Sequence, residues 1–274
     1  MLSNKNVLII GASGTLGQAL IDELIKYEVH SIRCFSRNEH KQFLLRQKYG
    51  EPTDKMRYFL GDIRDKERLD MAMQDCHYVF NFAALKHIHL CNENSMECIK
   101  TNVLGVQNAL ECAVKNNVEV FLQMSTDKAV DPTSIYGTSK LLAEQLTLNA
   151  FEWSGKSKCR FLVVRSGNIL GSSGSVLEIW QRQKEQGLPL TVTDKNATRY
   201  GATKEQIAKA ILKASTSGLN GLIVLSMKRY LLKELLSQFG DCDIVETGLK
   251  PFEKLDEVLY REGEKYTLVN VEGS

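Results

Sequence analysis

The chain has 274 residues, 43% of them hydrophobic and 25% charged, with a formal net charge of +2. That length suits one large α/β domain, or one domain carrying a small annex, of ordinary globular composition. Near neutrality, with Lys and Arg dispersed rather than blocked, argues against a nucleic-acid or anionic-membrane partner.

Asn6-Val7-Leu8-Ile9-Ile10 is a short apolar run ending on glycine and reads as a buried strand. Helical spacing of Leu16, Leu20 and Leu24 follows over 15–27, then a strand at 31–35 and a charged helix near 39–48. Strands are predicted at 57–60 and 78–82 with a helix at 66–73 between them. A helix over 100–115 places Val103, Val106, Leu110, Ala113 and Val114 on one face. A strand at 118–124, a long helix at 134–153 and a strand at 160–165 complete an alternating series. Apolar strands alternating with helices call for a parallel sheet covered on both faces, the doubly wound α/β (Rossmann) architecture.

After Arg165 the texture changes, with Gly167, Gly171, Gly174 and the Ser172-Ser173 pair breaking the rhythm. Helices follow near 176–186 and 204–215, a loop or short strand at 191–193, and strands at 222–225 and 243–246. The chain is thus read as a dinucleotide-binding domain over 1–165 and a smaller substrate lobe over 166–274, with elements returning to the sheet.

Seven cysteines (Cys34, Cys76, Cys91, Cys98, Cys112, Cys159, Cys242) form no CxxC pair and no zinc-spaced Cys/His set. Reduced core residues and no metal are expected. No signal-peptide pattern opens the chain, and no segment reaches the roughly 18 apolar residues of a membrane helix. The expected compartment is the cytosol.

Gly11-Ala12-Ser13-Gly14-Thr15-Leu16-Gly17 lies between the first strand and the first helix. Glycines there let the backbone turn tightly and approach a pyrophosphate, whose charge a helix N-terminus stabilises. Elsewhere such a trio would be only a tight turn. The second strand ends in Ser36-Arg37, where NAD-binding proteins place an acid for the ribose hydroxyls. A hydroxyl and a guanidinium suit a 2′-phosphate, so NADP is the expected cofactor. Asp62-Ile63, after the third strand, can receive an adenine edge, or Asp62 can be a helix cap. Ala83 and Ala84, after the fourth, are small enough for a cofactor to lie against the sheet edge. Ser125-Thr126-Asp127-Lys128 ends the fifth strand, and Tyr136 and Lys140 follow, four apart on one helical face. A lysine beside a tyrosine lowers the phenol's pKa and lets it take a hydroxyl proton as hydride leaves. Read alone, Asp127-Lys128 serves equally as an exposed turn pair.

The segments GASGTLG, FSRNE, GDIRD, AALKHI, MSTDKAVDPTSIYGTSK, SGNILGSSGSV, ATRY and KPFEKLDE occur in this order along nearly the whole chain. Together they resemble the UDP-N-acetylglucosamine 4,6-dehydratases of the extended short-chain dehydrogenase type, particularly the C5-inverting enzymes. The resemblance implies Asp127 as general acid and Lys128 as base beside Tyr136 and Lys140; C5-retaining relatives carry glutamate at the Lys128 position. The implied cycle is redox-neutral. Tyr136 takes the 4-hydroxyl proton as hydride leaves C4, Lys128 removes the C5 proton, Asp127 protonates the departing 6-hydroxyl, and hydride returns to C6. The resemblance also sets Asn38, Lys41, Lys86, Asn102 and Ser125 about the cofactor. It sets Lys86, His87, Asn168, Thr198, Arg199 and Lys254 about the nucleotide sugar, and implies a homo-oligomer, dimer or hexamer.

Family members usually read RYGN, GSRGS and GEKLHE where this chain has Arg165-Ser166-Gly167-Asn168, Gly171-Ser172-Ser173-Gly174-Ser175 and Phe252-Glu253-Lys254-Leu255-Asp256-Glu257. These departures bear on the sugar and nucleotide more than on the reaction. An epimerase or 4-ketoreductase of the same superfamily, or a noncatalytic NADP-binding sensor, shares the glycine loop and the Tyr136/Lys140 pair. Neither requires Asp127-Lys128.

Overall fold

A computed structural model of the protein describes residues 2–155, 157–172 and 174–271, so Ser173 of the serine pair lies outside the described residues. In chain order the first half runs β1 (Asn6–Ile10), α1 (Thr15–Leu24), β2 (Ser31–Ser36), α2 (Glu39–Tyr49), β3 (Met56–Leu60), α3 (Lys66–Met73) and β4 (Tyr78–Asn81). There follow α4 (Ile88–Glu93), α5 (Ser95–Ile99), a π-helical turn (Lys100–Leu104), α6 (Gly105–Lys115), β5 (Val120–Thr126), a 3₁₀ turn (Asp127–Ala129), α7 (Ile135–Leu148), α8 (Ala150–Trp153) and β6 (Arg160–Ser166). The remainder is β7 (Asn168–Leu170), α9 (Val176–Glu185), β8 (Leu190–Val192), β9 (Thr198–Thr203), α10 (Lys204–Thr216), β10 (Gly221–Ser226), β11 (Lys228–Leu231), α11 (Leu232–Leu236), β12 (Ile244–Glu246) and β13 (Thr267–Asn270).

Eight strands form one sheet in the order β13-β10-β6-β5-β4-β1-β2-β3, and every pairing in it is parallel. Alternating strand residues supply two cores. Val7, Ile9, Leu122 and Val164 pack with Leu16, Leu20 and Leu24 of α1 and Ile207 and Ile211 of α10. Leu8, Ile10, Phe121 and Phe161 pack with Leu69 of α3, Val106 and Leu110 of α6, and Ala143 of α7. Covering both faces is what a parallel sheet demands, and it explains why β5 is buried at all seven positions. The strand order reverses on either side of β1, which opens a crevice at the carboxyl ends of β1 and β4.

Several predicted elements differ. The helix predicted over 100–115 opens in a π-helical turn and is preceded by two short helices. The long helix predicted over 134–153 breaks at Asn149, whose backbone (φ −87, ψ 0) leaves the helical region. The strand at 244–246 does not join the main sheet but pairs with β8. Strands β7, β9, β11 and β13 were not expected. They are short, and their half-exposed residues carry too little apolar alternation to read. Six cysteines are buried and Cys242 is partly buried, all as free thiols. Among the described residues no helix is long and apolar enough to cross a membrane.

Candidate active site

The β1–α1 loop reaches its shape only with glycine. Gly11 has φ +88, and a Cβ there would meet the Ala83 nitrogen at 2.8 Å. A Cβ on Gly17 would stand 2.6 Å from the carbonyl oxygens of Gly11 and Ala12, so α1 seats directly on the loop. Gly14 caps α1 without a side chain, and no acid occupies the first turn. The helix start is therefore free to face an anion. Ser13 and Thr15 are half-buried beside it, while the Leu16 side chain is turned into the core and offers the loop only its backbone.

At the end of β2 the Ser36 hydroxyl is buried without a hydrogen-bond partner. Arg37 is half-exposed, its Nη1 3.8 Å from Asp62 Oδ2. The Asn38 carbonyl oxygen of the side chain caps α2 by accepting from the Lys41 N–H at 2.8 Å, and the Lys41 side chain is exposed. Of the two readings of Asp62, the cap is not realised: α3 is capped by Asp65, which accepts from the Arg68 N–H. Asp62 instead accepts from the Arg64 backbone and guanidinium at 2.8–3.0 Å. Burial pushes its carboxyl up, but these bonds and the charges of Arg64 and Arg37 hold it below the usual carboxylate range. Ile63 is buried in the core under α6.

After β4, Ala83 is held by Asn81 Oδ1, and Leu85 by Asn102, which accepts from its N–H at 2.8 Å and donates to its carbonyl at 3.0 Å. Asn102 also donates to Ser139 Oγ. Expected beside the cofactor, Asn102 has its side-chain amide committed to shaping the 83–87 loop. Lys86 and His87 are exposed; burial is the main influence lowering the Lys86 amine, with Glu178 opposing and Lys41 assisting. The His87 ring lies where a side chain on Gly174 would stand.

Ser125 is also placed otherwise than expected. Its hydroxyl donates to buried Glu144, which pairs with Arg165, because strand alternation turns residue 125 away from residue 126. Thr126, to which the sequence assigned no role of its own, faces the site: it hydrogen-bonds Asp127 Oδ1 at 2.8 Å and interacts with the Tyr136 phenol. Tyr136 and Lys140 are both buried on α7. Burial first, and Asp127 second, push the phenol above its ordinary value, with Thr126 working the other way. The Lys140 ammonium donates to the Met124 carbonyl, and burial pushes it down to about 8.

Asp127 is fully buried, with Oδ2 unpartnered. Lys128 Nζ lies 3.0 Å from Asp127 Oδ1, 3.4 Å from Asn168 Oδ1 and 3.9 Å from Glu257 Oε1. Lys128, Asn168 and Glu257 border a cavity of about 130 Å³ that Arg199 and Lys254 also line, with Asp127 buried behind Lys128. A larger open hollow of about 600 Å³ around Arg57, Phe59 and Arg68 lies at the far edge of the sheet, away from this chemistry. Arg199 donates to the Thr198 and Leu255 carbonyls, and Lys254 to that of Val130, which fastens the 252–257 segment over the pair. Thr198 is not free for a ligand: its hydroxyl donates to Asp256 and accepts from Arg229. Glu257 was visible in the sequence only as the end of a divergent segment. Nothing in its spacing to Lys128, 129 positions away, signals the contact.

Residues 7–273 match the family described as polysaccharide biosynthesis protein. The UDP-N-acetylglucosamine 4,6-dehydratase (inverting) of Campylobacter jejuni is 37% identical over 265 residues, covering 94% of this chain and 78% of its own. The UDP-glucose 4-epimerase of Rickettsia canadensis is 36% identical over 225 residues, covering 81% of this chain and 65% of its own. The X-ray structure of Pen from Bacillus thuringiensis matches with a TM-score of 0.90 at 35% identity, over 95% of this chain and 84% of that one. With a glycine loop at the switch point, a Tyr136/Lys140 helix beside β5 and this family match along almost its full length, the chain belongs to the polysaccharide biosynthesis protein family.

Proposed function

We propose that the chain is a sugar-nucleotide 4,6-dehydratase that acts on a UDP-N-acetylhexosamine with NADP and inverts C5. The observation that carries this reading is the Asp127–Lys128 pair: Asp127 is buried close enough to Tyr136 to reinforce burial in raising its phenol, and the partly buried Lys128 lines the cavity. A carboxyl and an amine 3.0 Å apart supply the acid and base that loss of water needs.

The cofactor fits the residues present. The uncapped start of α1 suits the pyrophosphate, and the unpartnered Ser36 hydroxyl with Arg37 suits a 2′-phosphate. Ser13, Thr15 and the backbone at Ala83 and Ala84 would hold its remainder. Bound there, NADP supplies reversible hydride acceptance. Tyr136 takes the proton of the 4-hydroxyl, Lys128 the proton at C5 once C4 is a ketone, and Asp127 protonates the departing 6-hydroxyl. Lys86, His87, Asn168 and Arg199 would hold the nucleotide sugar. The epimerase relative favours a second reading, a 4-epimerase, in which Asp127-Lys128 would be dispensable.

Incubation with UDP-N-acetylglucosamine should give a product lighter by one water (about 18 mass units), which an epimerase does not make. Absorbance of reduced nicotinamide should stay flat while product forms; a stoichiometric rise would mean a net dehydrogenase. NADP(H) should bind at least about tenfold more tightly than NAD(H), about 1.4 kcal/mol, and Arg37→Ala should remove most of that preference. Equal affinities in the unmodified protein, measured by calorimetry, would count against Ser36-Arg37 as the phosphate site.

A further inference from the structure

Glu257 comes from the segment after β12, far along the chain from Asp127 and Lys128, yet it reaches the same cavity. It is 5% exposed, its Oε1 lies 3.9 Å from Lys128 Nζ, and its Oε2 is buried with no hydrogen-bond partner. A buried carboxyl left so poorly bonded is costly unless a charge compensates it. Four charged groups face it. Asp127 and Lys128 come from the 3₁₀ turn, Arg199 from β9, and Lys254 from its own segment. Arg199 and Lys254 direct hydrogen bonds to backbone carbonyls, whereas Lys128 directs its amine to carboxylate and amide oxygens. Burial is the main influence raising the Glu257 carboxyl; Lys128 acts against it and Asp127 with it. The segment carrying Glu257 is itself fastened, by Lys254 to Val130, Thr133 to Phe252, and Asp256 to Thr198 and Arg229.

We propose that Glu257 is a positioning residue for Lys128, holding the flexible amine at the cavity from the C-terminal segment while Asp127 holds it from within the 3₁₀ turn. A lysine side chain is rich in rotamers, and two carboxyls on separate elements remove that freedom before a sugar arrives. The assignment rests on the dehydratase reading for its consequence in turnover, but not for the contact itself.

The test uses the full chain with NADP and UDP-N-acetylglucosamine. Glu257→Gln should lower kcat for water loss about 10–100-fold with KM and NADP affinity little changed, and Glu257→Asp should recover part of the loss. Unchanged kcat in Glu257→Gln would overturn the assignment, since that near-isostere preserves packing and removes only the charge. A second measurement does not depend on turnover or on Glu257→Gln folding. In protein carrying ¹³C-carboxyl glutamate, Lys128→Met should raise the pH at which Glu257 takes up its proton by about one unit or more, and Asp127→Asn should lower it. An unmoved midpoint in Lys128→Met would likewise overturn it. If the unmodified protein dehydrates no nucleotide sugar, the functional reading falls, and the carboxyl titration alone decides for or against Glu257.

Discussion

Lys128→Ala is expected to slow water loss by about 10²–10⁴-fold, the usual size of a general acid–base contribution, while NADP affinity stays unchanged. The glycine loop, Ser36, Arg37 and the Tyr136/Lys140 pair are separate from Lys128 and remain intact in the variant. Unmodified enzyme run in heavy water should place one deuterium at C5, and the variant should place almost none. The substitution also strips the cation from two buried carboxyls, Asp127 and Glu257, so thermal unfolding must be measured alongside. Lys128→Met, which keeps the aliphatic stem, separates the two effects. A variant that folds and dehydrates at a near-normal rate would remove Lys128 as the base and restore the turn-pair reading.

Arg165→Met should be the most destabilising single change outside the cavity. Arg165 is 1% exposed in β6 and donates to both oxygens of Glu144 at 3.0 and 2.6 Å, to Glu264 at 2.7 and 3.0 Å, and to the Leu259 carbonyl at 3.0 Å. Burial works against its charge, but Glu144 and Glu264 more than offset it and hold the guanidinium above its ordinary value. Glu144 is itself fully buried and also receives the Ser125 hydroxyl. Removing the arginine leaves a carboxylate in the core without its counter-charge and with only the Ser125 hydroxyl, a loss of roughly 3–5 kcal/mol and roughly 10 °C in Tm. Because Glu264 belongs to the C-terminal segment, the loss should also loosen that segment from the sheet, seen as faster hydrogen exchange near Leu259. Adding Glu144→Gln should recover part of the stability by removing the stranded charge. A double variant as unstable as the sum of the two single changes would argue that the network is not coupled.

Much of the framework was legible because it is local. Near-continuous apolar strands at Val7–Ile10 and in β5, each followed by a helical stripe, can be satisfied only by a sheet covered on both sides. The glycine loop and the Tyr136/Lys140 spacing are likewise contained within a few residues, so Gly11, Gly14, Gly17, Tyr136 and Lys140 stood out in the chain alone, whereas Asp127 and Lys128 were singled out only through the family resemblance. What each polar side chain does with its hydrogen bonds could not. Ser125 and Thr126 are neighbours in sequence, yet the strand turns one to the Glu144–Arg165 core and the other to the site. Asn102 and Thr198 carry the right chemistry for ligands, but the folded chain spends it on Leu85 and on Asp256.

The sequence by itself determined the doubly wound sheet and the glycine turn between β1 and α1, because each depends on periodicity or on contacts a few positions apart. Only the tertiary structure brought Glu257 within 3.9 Å of Lys128, turned Lys140 to Met124, and locked Arg165 between Glu144 and Glu264. Those contacts join residues 16 to 129 positions apart in most cases across separate elements. Their partners are chosen by burial and charge balance in three dimensions, where an unpaired buried group costs more than any local preference supplies.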